Sequence, residues 1–363
     1  MLHWGIIGSG TIAYELAYAI QSVDNNIIEA ITSRTNTKAK SFAEAVNVKK
    51  VYATHQELLE DNAIDIIYIA VPHHLHAALI KDALKHGKHV LCEKPFTINA
   101  AEADEITRLA EDQKLFCMEA FWTRFIPSVE KVKSLLEEGH IGKVRMVRGS
   151  FGHMAFSQKE LNPLHGEGVI LDLGIYPVAL TFALFGKPNE IQSSKSLSPS
   201  RADIQASIIL KYGEGLIANL SCSYVSELDN EYVIYGDKGS IKLAAPMYRS
   251  SIIEINYFGG LPKVSVDDNP VHVKNYFNMP SIFKTTPYIK SKVKRYLPSK
   301  AKTIFVPFEG SGYQYQIKHV AECIAKGLIK SPVNPLEHTV EVLHILDTVR
   351  NSEKSPNPNK ENP

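Results

Sequence analysis

The sequence predicts an α/β protein in two parts, a doubly wound parallel sheet followed by an α/β region built on a large, mainly antiparallel open sheet. Three observations carry this. Short apolar strands alternate with helical segments as far as Ala120, the pattern of a parallel sheet covered on both faces. A glycine-rich turn, Gly8-x-Gly10-x-x-Ala13, stands at the first strand–helix junction. From Val144 onward, strands follow one another with period-two alternation and few helices between them. A chain of 363 residues is also too long for one ordinary core. The division expected is residues 1–121, then 122–350, with 351–363 a polar, proline-containing tail expected to be disordered.

Composition narrows the function classes. The chain is 44% hydrophobic and 22% charged with a net charge of +1, so no global field points to nucleic acid or to a membrane surface. The four cysteines, Cys92, Cys117, Cys222 and Cys323, form no CxxC pair or metal-ligand cluster. Reduced thiols and a cytoplasmic location are expected. No apolar run is expected to span a membrane, and the first residues read as folded strand rather than as a leader.

Trp4–Ile7 is the first strand and the glycine-rich turn follows it. Gly8 permits a tight turn, Gly10 lets backbone approach a pyrophosphate, and Ala13 lets helix and strand pack closely. The free N–H groups at Thr11 and Ile12 then face the phosphates. Ile27–Arg34 is the second strand. A dinucleotide site selective for NAD wants Asp or Glu at its end; this chain has Ser33 and Arg34, with Lys38 a turn later. Hydroxyl and guanidinium groups bind a 2′-phosphate that a carboxylate would repel, so NADP is preferred over NAD. Stacking of Arg34 on the adenine is the alternative, and it would permit either cofactor. Ile64–Pro72 is a buried strand followed by His73, His74 and His76. No Cys, Asp or Glu stands beside them at ligand spacing, so phosphate or ribose contact, or helix capping, is expected rather than a metal. His89–Glu93 is another buried strand, ending in Glu93-Lys94-Pro95. Ligands in open α/β sheets bind beyond such carboxyl ends, so Lys94 stands at the mouth of a cleft unless it is merely a surface lysine before a turn proline. Asn99 opens a helix over about 100–112, and Leu115–Ala120 is a sixth strand.

After Phe125 a helix runs to about Glu138. Strands are expected over 144–151, 202–212, 216–225 and 231–235, with Gly236–Gly239 as a hairpin turn. One helix interrupts them, from Gly168 to about Phe185. Asp172 and Tyr176 share one of its faces. They form either a pocket wall or a core tyrosine bonded to Asp172. Residues 263–302 carry nine Lys or Arg against two acids, which reads as a solvated excursion or, more sharply, as a basic surface for an acidic partner. Ser311–Tyr313 caps a helix through Ala325, and Leu336–Arg350 is the last helix, with Asn334 as its cap.

The motifs Gly8-x-Gly10-x-x-Ala13, Val71-Pro72-x-x-x-His76 and Gly87–Pro95 together resemble the Gfo/Idh/MocA oxidoreductases. Met118–Pro127 and Leu171–Pro177 are similar to the branch of dihydrodiol and NADP-dependent D-xylose dehydrogenases, although Gln316 stands where that branch commonly has Glu. The resemblance implies a Rossmann domain and a second domain whose open sheet forms a homodimer or larger homo-oligomer. It implies a cofactor held also by Val71, Pro72, His73, His76 and Glu93. Lys94 would sit by the nicotinamide ribose and the substrate hydroxyl, Tyr176 would transfer the proton, and Asp172 would orient a carbohydrate-like substrate. Arg124, Phe151 and His153 are further pocket candidates. The expected chemistry is hydride transfer between NADP(H) and a secondary carbinol or ketone of a sugar, polyol or dihydrodiol, with Lys94 drawing Tyr176 toward phenolate. A non-catalytic NADP-binding regulator and a nicotinamide-dependent glycosidase are the alternatives.

Overall fold

The computed structural model describes residues 1–154, 161–258 and 301–352. The N-terminal alternation closes into one sheet of β1 (Leu2–Ile7), β2 (Asn26–Thr32), β3 (Lys50–Tyr52), β4 (Ile66–Ile69), β5 (His89–Glu93) and β6 (Cys117–Ala120). The order is β3-β2-β1-β4-β5-β6 and every pairing is parallel. β4 and β6 are buried at every residue, as strands covered on both faces must be. The helices are α1 (Thr11–Gln21), α2 (Asn36–Ala45), α3 (His55–Glu60), α4 (His76–Lys85) and α5 (Ala100–Gln113). Asn99 caps α5 by accepting from the Glu102 N–H at 2.9 Å. Because strand order reverses between β1 and β4, their carboxyl ends part into a crevice.

The second region begins with a short 3-10 turn at Trp122–Phe125 and α6 (Pro127–Glu137). Its sheet contains β7 (Val144–Gly152), β8 (Glu190–Leu197), β9 (Asp203–Lys211), β10 (Ile217–Ser223), β11 (Tyr232–Gly236), β12 (Gly239–Leu243), β13 (Ile252–Tyr257) and β14 (Ala301–Phe305). They lie in the order β14-β13-β12-β11-β7-β10-β9-β8, with β7 and β10 parallel and the other pairs antiparallel. Asp237-Lys238 join β11 to β12 as the hairpin requires. The sequence pattern did not single out β8, β13 or β14, which lie at the two margins of the sheet. β8 alternates only between exposed and half-buried, so it lacks the apolar stripe that marks a strand.

The expected helix at 168–185 has two parts, a π-turn at Ile170–Gly174 and then α7 (Ile175–Phe185). α7 is buried from Ile175 to Phe182, packed on β7, β10 and the last helix. Residues Pro163–Phe185 are, contrary to expectation, long and apolar enough to cross a membrane by length and composition, but 78% of that window is buried inside the protein, as in a core helix. The last two helices are α8 (Gln314–Ala325) and α9 (Leu336–Asn351). Asn334 is not the cap of α9: Pro335 takes that position, and the Asn334 amide instead donates to the Glu119 carbonyl at 3.0 Å. Nor does Ser311 cap α8; Tyr313 occupies that position without a side-chain bond. α8 returns to the first sheet, where Ile317 and Val320 join Ala13 and Leu16 in one core. α9 packs between α5 and α7 and so ties the two sheets together. Of the basic stretch, 263–300 lies outside the described residues, and Ala301 and Lys302 open β14. Residues 353–363 of the tail also lie outside them.

Candidate active site

The dinucleotide turn is built by close approach of backbones. Gly8 adopts φ +122°, and a Cβ there would stand 2.1 Å from the Ala70 carbonyl oxygen at the end of β4. Only glycine tolerates both the angle and the contact. Gly10 is the N-cap of α1, makes no side-chain cap bond, and faces open space where a Cβ would project. Free N–H groups beside an open cradle fit a pyrophosphate. The Ser9 and Ser33 hydroxyls meet at 2.7 Å and tie this turn to the end of β2. Arg34 and Lys38 are exposed just beyond Ser33.

Beyond β4, a 3-10 turn carries His73, His74 and Leu75. His76 is a correction to the expected cofactor contacts. It is fully buried, with its ring nitrogens 2.8 Å from the Val71 carbonyl and 2.9 Å from that of Pro95. Burial lowers it to about 4 while the two carbonyls favour the charged form; the neutral ring has a single N–H and donates to only one of them. His73 does reach the cleft, and burial and Lys94 lower its basicity. Among the described residues no group of three or more His, Cys, Asp or Glu is arranged to hold a metal.

β5 delivers Glu93 and Lys94. Glu93 is buried; its Oε1 accepts from the Tyr68 hydroxyl at 2.7 Å and its Oε2 from the Lys94 N–H at 3.3 Å. The Lys94–Pro95 peptide is cis. The Lys94 ammonium donates to Asp172 twice at 2.8 Å, to Oδ1 and to the backbone carbonyl, and lies 4.8 Å from the Tyr176 ring centroid. The other Asp172 oxygen accepts from the Tyr224 hydroxyl at 2.7 Å. Burial alone would raise Asp172, but the Lys94 charge and these hydrogen bonds hold it at about 2. Burial would likewise weaken the ammonium, and Asp172 and Tyr176 overcome that to hold it above its ordinary value.

Tyr176 differs from expectation in its protonation. Burial raises the phenol; Lys94 opposes this, while Asp172 and Glu93 add to it. Lys94 still pulls the phenol down, but burial outweighs it and the net direction is upward. The ring is held by Phe121 at 5.4 Å, Phe151 at 5.2 Å and Tyr248 at 5.4 Å between centroids. The alternative of a Tyr176 hydroxyl bonded to Asp172 is not what forms, because Tyr224 and Lys94 occupy that carboxylate.

Phe151 stacks on Tyr248, and the His153 ring lies beside Phe151 at 5.9 Å. Arg124 is a second correction. It is buried against the Ala179 carbonyl and His338 and is coupled to the Glu119 charge, so it belongs to the core between α7 and α9. A cleft of about 260 Å³ remains, lined among others by Ile12, Val71, His73, Glu93, Lys94 and Tyr176. Trp122 and Tyr313, whose rings lie 4.5 Å apart, close its far side. Sequence reasoning missed Tyr68, Tyr224, Trp122 and Tyr313 as site residues. All four stood in segments already singled out, Tyr68 and Tyr224 in expected strands, but nothing local marks either tyrosine as a site residue. A larger hollow of about 650 Å³ lies between the Ser22–Asn25 turn and α8, but none of these converging groups lines it.

A dinucleotide cradle at a topological switch point, opening onto a half-buried lysine–aspartate pair and a phenol, defines a nicotinamide-dependent oxidoreductase. Family models place it further. The oxidoreductase family's NAD-binding Rossmann fold matches residues 2–121, and the GFO/IDH/MocA C-terminal domain matches residues 129–242. The chain belongs to the GFO/IDH/MocA family. It is 31% identical over 354 residues to trans-1,2-dihydrobenzene-1,2-diol dehydrogenase of Bos taurus, covering 96% of both chains, and 30% identical over 355 residues to that of Homo sapiens, again covering 96% of each. Among solved structures it is similar to a 3-ketoreductase from Actinomadura kijaniata in complex with TDP-benzene and NADP, with TM-score 0.77, 23% identity and coverage of 97% and 98%. An aldose-aldose oxidoreductase from Caulobacter crescentus has TM-score 0.77 at 20% identity, with 96% of each chain covered.

Proposed function

We propose that this protein is an NADP-preferring dehydrogenase or reductase acting on a secondary carbinol or its ketone in a sugar, polyol or dihydrodiol. The observation that carries the reading is the Lys94 ammonium, clamped by Asp172 beside the Tyr176 ring at the mouth of the dinucleotide cleft. When bound, the nicotinamide supplies or accepts the hydride. The chain's own residues handle the proton and the orientation. Tyr176, kept protonated by burial, gives its proton to the substrate oxygen during reduction and is reprotonated from solvent; in oxidation it first loses its proton to solvent and then, as phenolate, takes the proton of the carbinol hydroxyl. Lys94 stabilises the oxygen as charge develops on it. Asp172 keeps Lys94 aimed, while Phe151 and Tyr248 keep the phenol ring in place.

Ser33, Arg34 and Lys38 form the surface for a 2′-phosphate, and the neighbouring reductase was crystallised with NADP. We place a second copy of the chain on the outer face of the large sheet, where Met146 is 43% exposed and Arg148 pairs with Asp229 and Glu231. The four cysteines are free and buried, which suits a cytoplasmic protein.

The decisive test is NADPH formation from NADP across aldopyranoses, polyols and trans-dihydrodiols, with Tyr176→Phe as the control. Turnover should fall by roughly 10²–10⁴-fold in the variant while NADPH still binds. Near-normal turnover in Tyr176→Phe would remove the phenol from the mechanism.

A further inference from the structure

Of the cleft's lining, Lys94 is a cation, Glu93 a carboxyl group, and His73 an imidazole made less basic by burial and Lys94. Lys94 and Asp172 answer each other at 2.8 Å, which leaves Glu93 as the charge without a counter-ion of its own. The Glu93 side chain is nevertheless tightly held, only 7% exposed, between the Tyr68 hydroxyl and the Lys94 N–H. It lines the same cleft as Ile12 of the dinucleotide turn. The neighbouring buried acid, Glu119, faces elsewhere: the Phe96 N–H and the Thr339 hydroxyl hold its oxygens on the α9 side.

We infer that Glu93 is the residue by which this protein distinguishes oxidised from reduced cofactor. As a carboxylate it balances the positive nicotinamide ring; as a neutral acid it accommodates the uncharged dihydronicotinamide. The inference rests on the reading that the nicotinamide occupies this cleft. The physical basis is that a buried carboxylate without a counter-ion is unstable, and a cation placed beside it relieves that cost. Burial raises Glu93 to about 7; the Tyr68 bond and Lys94 pull it down, and Glu119 pushes it further up. Cys92, Tyr176 and Tyr313 also feel its charge, and burial raises all three above their ordinary values, so they stay neutral near pH 7. Binding of the oxidised cofactor therefore draws off whatever proton Glu93 still holds, about half a proton at pH 7, and binding of the reduced form does not.

The test uses the full-length protein, with NADPH titrated directly and NADP by displacement, at pH 6 and pH 8. The adenosine phosphates are common to both forms and cancel in the ratio of the two Kd values. A group at about 7 passes from about one-tenth to nine-tenths ionised over that interval. The ratio should therefore move about tenfold in favour of NADP. Glu93→Gln should flatten the ratio, holding NADP near its pH 6 affinity throughout. Tyr68→Phe, which removes a donor to the charged form, should move the midpoint to higher pH and serves if Glu93→Gln does not fold. Tight binding with a ratio unchanged between the two pH values, or a Glu93→Gln protein that keeps the shift, would overturn this inference alone. Failure of both cofactors to bind at either pH would overturn the cleft assignment with it.

Discussion

Lys94 and Asp172, 78 residues apart in sequence, meet through two hydrogen bonds of 2.8 Å, one to the carboxylate and one to the backbone carbonyl of the same residue. One residue ends a strand of the parallel sheet and the other lies on the π-turn that opens α7. The pair thus fixes the distance between the cofactor side of the cleft and the phenol side. Removing one partner leaves a half-buried charge unanswered. Asp172→Asn should lower stability by about 1 kcal/mol, since solvent screens the half-exposed carboxylate, and turnover by roughly 10²-fold. The double change Lys94→Met with Asp172→Asn should recover much of the melting temperature and none of the turnover. Recovery of turnover in the double variant would show that the pair serves stability alone.

Tyr224 should act through Asp172. Its hydroxyl is the donor that holds the second carboxylate oxygen and helps keep Asp172 at about 2. Tyr224→Phe should reduce kcat about tenfold, leave NADPH affinity unchanged, and move the acid limb of the kcat profile upward by about one pH unit, since a hydrogen bond to a charged group contributes about 1.5–3 kcal/mol. An unmoved acid limb would assign Tyr224 to packing only.

Arg34 should discriminate between cofactors. It is exposed beyond Ser33 at the end of β2. Arg34→Ala should weaken NADP by roughly ten- to a hundredfold and NAD by less than threefold, the loss of one charge-assisted contact. Equal losses measured by titration would assign Arg34 to adenine stacking instead.

His76 should show in the pH dependence of stability. Its folded value is lowered from 6.5 to about 4, so the unfolded chain binds a proton that the folded protein refuses. The stability it confers is complete above 6.5 and is lost as pH falls toward 4, by at most about 1.4 kcal/mol per unit. Glu93 has the opposite sign, being raised from 4.5 to about 7, so its contribution is complete below 4.5 and lost as pH rises through 7. The two slopes oppose each other between 4.5 and 6.5. His76→Gln, followed by denaturant unfolding across that window, should expose the Glu93 slope, with stability falling as pH rises. A variant with the same profile as the parent would mean that His76 is not refusing a proton.

The sequence by itself determined the parallel sheet, the dinucleotide turn and the position of Lys94. Those features are local: an apolar strand, a glycine spacing and a strand end are each written within about ten residues. It also brought forward Asp172 and Tyr176, but left open whether they faced a pocket or a core. Tertiary structure decided that question. The answer depended on which donors reached Asp172, and these came from β5 and from the end of β10. The same dependence on distant partners explains the corrections. A histidine four residues after Pro72 reads as a ligand contact until the Pro95 carbonyl closes over it. Arg124 reads as a pocket cation until α7 and α9 bury it. Asn334 reads as a helix cap until the Glu119 carbonyl takes its amide. The protonation of Tyr176 was also beyond the sequence, because burial and the charge answering Lys94 are properties of the assembled site. Local backbone preference is encoded within a segment, whereas burial and partnership exist only once separate segments have met.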